Sequence, residues 1–273
     1  MIEDLAAQIG DYGIKTIFGI PGSKRSLELL DCVDKLGISF QLVHFEGSGV
    51  IMGGAIGCLS GKAGIALSIK GPGLANMVPG ISACFMEGLP VVTLSEQFED
   101  IQMKSNFHKH MDHKGMVSAI TKGTMSLVRD FKFENAAKIA EREIPGPVHV
   151  DLSENVLDNL NDTNITSHTE DWDAIKRTIS ESEHPVIIAG TLSRRLKLSD
   201  KLNQLSIPVF TTAGAKGTID ETKPNACGVY TGVGLDLSPE NHILNEADLV
   251  IGFGLRHNEV LSVNPFECKA VGI

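Results

Sequence analysis

Short apolar runs rich in β-branched residues, each closed by Gly or Pro and followed by a segment of helical period, recur along the chain, and this rhythm leaves few folds open. A strand that is apolar throughout must be covered on both faces, and strand-then-helix repetition supplies that cover as a mainly parallel sheet with helices on either side. Strands are expected at 15–18, 40–44, 64–69, 90–94 and 147–152, with helices such as SKRSLELLDCVDKL and NMVPGISACFME between them. After 152 the sequence SENVLDNLNDTNITSHTEDWD turns polar and acidic and loses its apolar period, as linkers do. The rhythm then restarts, with strands expected at 186–189, 208–211, 249–253 and 269–273 around the helical stretch SRRLKLSDKLNQLS. The fold class is therefore α/β in two domains, 1–163 and 181–273, joined by a linker over 164–180. The second domain reads as ending early, because CKAVGI has the composition of a buried strand and would leave an apolar edge unless something else covers it.

Composition narrows the function. A formal charge of -10 with no run of Lys and Arg argues against a nucleic-acid surface. Nothing is long and apolar enough to span a bilayer, and MIEDLAAQIGDYGIK has neither the basic nor the apolar region of a signal peptide. Cys32, Cys58, Cys84, Cys227 and Cys268 show no CxxC spacing, which points to reduced thiols in a cytoplasmic protein rather than to disulfides or zinc.

Three turns carry candidate chemistry. In Phe18-Gly19-Ile20-Pro21-Gly22 a strand breaks into a Pro-Gly turn before a helix, at the end of the sheet where α/β proteins hold ligands, although Pro and Gly also serve such turns for their backbone angles alone. In Val43-His44-Phe45-Glu46-Gly47 an apolar strand ends on an acid that opens the helix GSGVIMGGAIGCLSGK. Desolvation there would favour proton transfer by Glu46, while its place at a helix start would equally suit a carboxylate that complements the helix dipole. Six glycines make that helix poor by propensity, so close packing against a sheet, a partner helix or a bound ring is needed to explain them. In Lys70-Gly71-Pro72-Gly73-Leu74-Ala75-Asn76 a Gly-Pro-Gly turn opens a helix, with spacing that fits neither nucleotide fingerprint.

Taken together, FGIPG and HFEGSGVIMGGAIGCLSGKAGIALSIKGPGLANMVPGISACFMEGLPVVTLSEQ resemble the N-terminal pyrimidine-binding domain of thiamine diphosphate enzymes of the acetolactate synthase group. ITKG and GPVHVDLSENV resemble the end of that domain, and HPVIIAG, IPVFTTAGAKGTIDETKP and NEADLVIGFGLRHNEV resemble the family's Rossmann-like central domain. The resemblance implies that Glu46 is the acid that hydrogen-bonds the cofactor's pyrimidine and activates it toward a 2-oxoacid, by decarboxylation with or without carboligation. It places Pro21, Gly22, Gly71, Pro72, Gly73 and Asn76 beside cofactor and substrate.

Where many relatives carry a glutamine, this chain has Phe107-His108-Lys109-His110-Met111-Asp112-His113-Lys114. His108, Lys109 and His110 are candidates to meet an acidic group of the substrate, with a solvated charged loop as the plain alternative. Mixed spacing and a lack of nearby Cys argue against a metal there. The family's magnesium sits with the diphosphate on a Gly-Asp-Gly motif that does not occur in this sequence. The resemblance therefore implies a split enzyme whose second subunit carries the diphosphate-binding domain and its Mg2+, in a homodimer or hetero-oligomer. A non-catalytic regulatory subunit and a fragment of a longer enzyme are the alternatives. An FAD site is not expected.

Overall fold

The computed structural model describes residues 1–97, 109, 111–153, 159–160, 171–232, 239–256, 259 and 266–273. The chain divides into two compact units, Met1–Thr166 and Ser167–Ile273.

The first unit is built on strands β1 (Thr16–Gly19), β2 (Ser39–Leu42), β3 (Gly64–Ser68), β4 (Val91–Ser95), β5 (Gly123–Ser126), β6 (Pro147–Asp151) and β7 (Asn159–Leu160). Their order is β2-β1-β3-β4-β6-β5-β7, parallel except for the short antiparallel β7. Strands β3, β4 and β6 are buried at every position, as their apolar runs require. Helices α1 (Ile2–Tyr12), α2 (Lys24–Lys35) and a later helix, Phe133–Glu141, close one core with the sheet. Helices α3 (Glu46–Ser60) and α4 (Pro72–Glu87) contribute to a second. Helix α4 begins four residues before the expected 76, because Pro72 sits in its first turn, where the fixed φ of proline is already helical.

Two expectations about buried strands need correction. Strand β2 is the sheet edge, exposed at Ser39, Gln41 and Leu42, so it does not bury the acid that follows it. That burial comes from the helices. A methyl group on Gly80 of α4 would collide with the Gly47 carbonyl of α3, and one on Gly57 would collide with the Pro90 carbonyl. On Gly54 a Cβ would stand 2.6 Å from the Cys84 sulfur, and on Gly53 it would stand 3.1 Å from Val91. Five of the six glycines are explained by helix-to-helix and helix-to-sheet contact, with no ring needed, and Gly61 ends the helix in the left-handed conformation at φ 76. Helix α3 consequently turns the usual pattern outside in: glycines face the protein, while Ile51, Met52, Ile56 and Leu59 are exposed.

The second unit holds a parallel sheet in the order β10-β9-β8-β11-β12, with β8 Pro185–Ala189, β9 Val209–Thr211, β10 Ala226–Val229, β11 Leu249–Phe253 and β12 Lys269–Gly272. The second correction falls on β12, which pairs with β11 alone and is exposed except at half-buried Val271. The stretch expected as one helix after β8 is two short ones, Thr191–Arg195 and Ser199–Leu202, separated by Lys197 at φ 55. Most of the expected linker is also helical. Residues Trp172–Glu181 form a helix capped by Asp171, whose carboxylate accepts the Ala174 N–H at 3.0 Å. Ala174, Ile175, Thr178 and Ile179 share its half-buried face, a helical spacing hidden within an acidic composition. The rest of that linker, 164–170, lies outside the described residues. Among the described residues no helix is long and apolar enough to cross a membrane.

The glycine contacts predict the sign of a substitution. Helix propensity alone would make Gly80→Ala more stable by about 1 kcal/mol. Overpacking against Gly47 and Val50 should instead destabilise the chain by about 1–3 kcal/mol, seen as a lower urea midpoint.

Candidate active site

Glu46 is the first residue of α3 and is 6% exposed. Its Oε2 accepts a hydrogen bond from Asn76 Nδ2 of α4 at 3.0 Å. Among the described residues Oε1 accepts none. Asn76, Pro72 and Phe45 beside it are exposed, so the carboxyl lies at the floor of an open surface.

The Pro21-Gly22 turn follows β1 and the Lys70-Gly71 turn follows β3. These adjacent strands are where the sheet order reverses, and α/β folds place ligands outside such reversals. The two turns meet. A Cβ on Gly22 would overlap Ile69, one on Gly73 would come within 2.7 Å of the same side chain, and the Gly22 N–H donates to Ser26 Oγ at 3.0 Å. Between them lies Glu96, just past β4 and 2% exposed, which was not singled out in the sequence. Its carboxylate accepts the N–H groups of Ser23 and Ser26 at 3.0 Å each, both serine hydroxyls, and Lys70 Nζ at 2.8 Å. Burial by itself would raise this carboxyl. The donors from Lys70, Ser23 and Ser26 outweigh it and bring the pKa from the ordinary 4.5 to about 2. Lys70 is thus an ion-pair partner inside the fold rather than a solvated turn residue.

Across the sheet, the His-rich segment is only partly in view. His108 and His110 lie outside the described residues. Lys109 is within them, and its carbonyl lies so close to Gly71 that a Cβ there would collide with it. His113 is not part of a solvated loop: it is 1% exposed and bonds to Asp151 Oδ1 through Nδ1 at 2.6 Å. His149, fully buried, reaches the same oxygen through Nε2 at 3.1 Å and meets Thr93 Oγ1 through Nδ1 at 3.0 Å. The sequence held a signal for this pair, since His149 and Asp151 are two apart on a fully buried strand and so share a face. Burial pushes Asp151 up, but the bonds from His113 and His149 prevail and bring it from 3.8 to about 2.

The ring nitrogens and carboxylate of this triad lie within 4.8 Å of one another, near enough for a metal ion. The proton positions oppose one. His113 Nε2 accepts the Gly71 N–H at 2.8 Å, so the ring proton must sit on Nδ1, the atom a metal would need bare. The cluster is therefore a hydrogen-bonded network.

Because the folded pKa of Glu96 is depressed, its stabilisation is full above about pH 4.5 and is lost as pH falls toward 2. Glu96→Gln should cost about 1–3 kcal/mol at pH 7 in urea unfolding, and the gap to the unmodified chain should close across that window.

The chain matches two family profiles in succession. Residues 1–116 match the description "Thiamine pyrophosphate enzyme, N-terminal TPP binding domain", and residues 172–271 match "Thiamine pyrophosphate enzyme, central domain". It is 28% identical to a probable acetolactate synthase large subunit of Methanocaldococcus jannaschii, over 90% of this chain and 45% of the relative. It is 25% identical to the acetolactate synthase isozyme 3 large subunit of Escherichia coli, over 94% and 48%. A probable 2-ketoarginine decarboxylase of Pseudomonas aeruginosa is also 25% identical, over 92% and 48%. The chain spans about half the length of the curated relatives it matches. With two parallel-sheet units matching two consecutive domains of one family, this chain belongs to the thiamine pyrophosphate enzymes, among relatives of acetolactate synthase.

Proposed function

We propose that the chain supplies the pyrimidine-binding half of a thiamine diphosphate-dependent enzyme that acts on a 2-oxoacid by decarboxylation, with or without carboligation. A second polypeptide would supply the diphosphate-binding half and its Mg2+. The observation that carries this reading is Glu46: a buried carboxyl at the start of a helix, oriented by a single neutral donor and with Oε1 not engaged by any described residue. A ring nitrogen that must share a proton needs such an oxygen, and the exposed border formed by Pro72 and Asn76 leaves a way in. These residues fit the pyrimidine end of the cofactor.

When bound, thiamine diphosphate supplies a carbon nucleophile and an electron sink for the departing carboxylate. This chain's own task is at the pyrimidine. Glu46 Oε1 would hold a proton at the ring nitrogen, Asn76 holds Oε2 and so leaves Oε1 for that task, and helices α3 and α4 would keep water out from beneath. Glu96 is unsuited to that role, because five donors already hold it as an anion. The Gly71 turn and Lys109 lie together, which supports a place for the substrate's acidic end near them.

Support for a second polypeptide comes from the exposed apolar row on α3, where Leu59 is 84% exposed, and from Phe85 and Met86 on α4. Apolar rows of this kind mark interaction surfaces. No FAD enters the proposal. The strand-end crevice between β8 and β11 already holds the Glu259 carboxylate, which accepts the N–H groups of Thr191 at 3.0 Å and Arg256 at 2.8 Å, and negative charge there opposes a dinucleotide's phosphates. Five free thiols suit a cytoplasmic setting.

Mixed with a polypeptide carrying the diphosphate-binding domain, the chain should release carbon dioxide from a 2-oxoacid in a thiamine diphosphate-dependent reaction. Glu46→Gln should lower that rate by about 10²–10⁴-fold. Full activity in that variant would refute the reading. Leu59→Glu should leave the isolated chain folded by circular dichroism yet weaken pairing with the second polypeptide, measured by analytical ultracentrifugation.

A further inference from the structure

We propose that His113 is a positioning residue of the site: as its Nδ1–H tautomer, fixed by Asp151, it accepts the Gly71 amide, and so sets where helix α4 begins and where Asn76 meets Glu46. The proposal rests on the reading of Glu46 given above for its link to catalysis, but its physical content lies wholly within this chain.

The argument starts at Gly71. Its backbone, at φ 61 and ψ -105, lies in a region open to glycine and strained for other residues, so the turn that opens α4 is not held by its own preference. Its N–H is buried, and a buried amide without an acceptor is costly. The acceptor is His113 Nε2 at 2.8 Å. An imidazole nitrogen accepts only when it carries no proton, which puts the ring's proton on Nδ1, where Asp151 Oδ1 takes it at 2.6 Å. Asp151 is itself held at the end of β6 in the middle of the sheet, paired in register with Ser95 and Ser126, and His149 adds a second N–H to the same oxygen. The sheet thereby dictates the tautomer, the tautomer dictates the acceptor, and the acceptor pins the first residue of the turn.

From Gly71 the constraint passes along a rigid path. The Gly71 carbonyl accepts the Ala75 N–H at 2.9 Å, and Asn76 follows within the same helix to donate to Glu46 at 3.0 Å. The Lys109 backbone also packs on Gly71, so close that a Cβ there would collide with its carbonyl. The hydrogen bonds of His113 go to Gly71 and Asp151 and not to Glu46 or Asn76, so its proposed action runs through the turn.

Two substitutions of similar size separate positioning from simple packing. In His113→Asn the amide nitrogen can stand near the position of Nδ1 and donate to Asp151, but nothing reaches Gly71. In His113→Gln the longer side chain can present its oxygen to the Gly71 N–H. Hydrogen exchange read by NMR on the full chain should show the Gly71 amide at least about tenfold faster in His113→Asn and close to its original rate in His113→Gln. The Asn76 side-chain amide signals should shift in the first variant and return in the second. A role in packing alone predicts that both variants behave alike, and that result overturns the proposal. Should either variant fail to fold, ring ¹⁵N signals of the unmodified chain decide: a protonated Nδ1 and a bare Nε2 on His113 at pH 7 support the proposal, and the opposite tautomer or an imidazolium overturns it. These readouts need no turnover, so they stand apart from the Glu46→Gln experiment. With the second polypeptide present, thiamine diphosphate-dependent turnover should fall in His113→Asn and recover in His113→Gln. Equal turnover in both variants overturns the link to the site.

Discussion

The close approach of helix α3 to α4 and to the sheet is the constraint on which the rest of the first unit depends. Side chains at positions 53, 54, 57 and 80 would hold these backbones apart, and glycine lets them touch. Three consequences follow from the one contact. Glu46 is buried although the strand before it is an exposed edge. Asn76 comes within hydrogen-bond distance of it. The large apolar residues of α3 are left on the outside.

The buried acids of this unit show how environment sorts residues of one chemical type into different roles. Glu96 is surrounded by five donors, including a lysine, and is a fixed anion that ties the turns after β1 and β3 together. Asp151 is met by two imidazoles and serves as the anchor of a buried network. Glu46 has one neutral donor. The role proposed above, sharing a proton with a bound ring, needs an acid that is not already saturated, and of these three Glu46 is the one so lightly held by the described residues.

Much of the fold was legible in the chain. Nine strands expected from β-branched runs are present within a residue or two of their expected limits; the buried ones need an unbroken apolar run and a Gly or Pro to stop it, and the edge strands β2 and β12 share the pattern although they are largely exposed. Strands β5 and β10 were harder to see, since GTMS and ACGV carry small or polar residues and gain their place from pairing with neighbours. The helix over Trp172–Glu181 was concealed because its acidic surface outweighs a narrow apolar face.

Of the candidate site, the sequence by itself singled out an acid and three turns and carried the family resemblance, because residue order is enough to place them where strands end, on one end of a sheet. Tertiary structure decided how they are used. It explained the glycines at 22 and 73 by the side chain of Ile69, and turned Lys70 inward to a glutamate that no local pattern had marked. It also moved His113 from an expected charged loop into a buried network with partners 38 and 42 residues away. Hydrogen-bond partners are set by distance in space, and burial by what packs above. Neither is written in the local spacing of a chain.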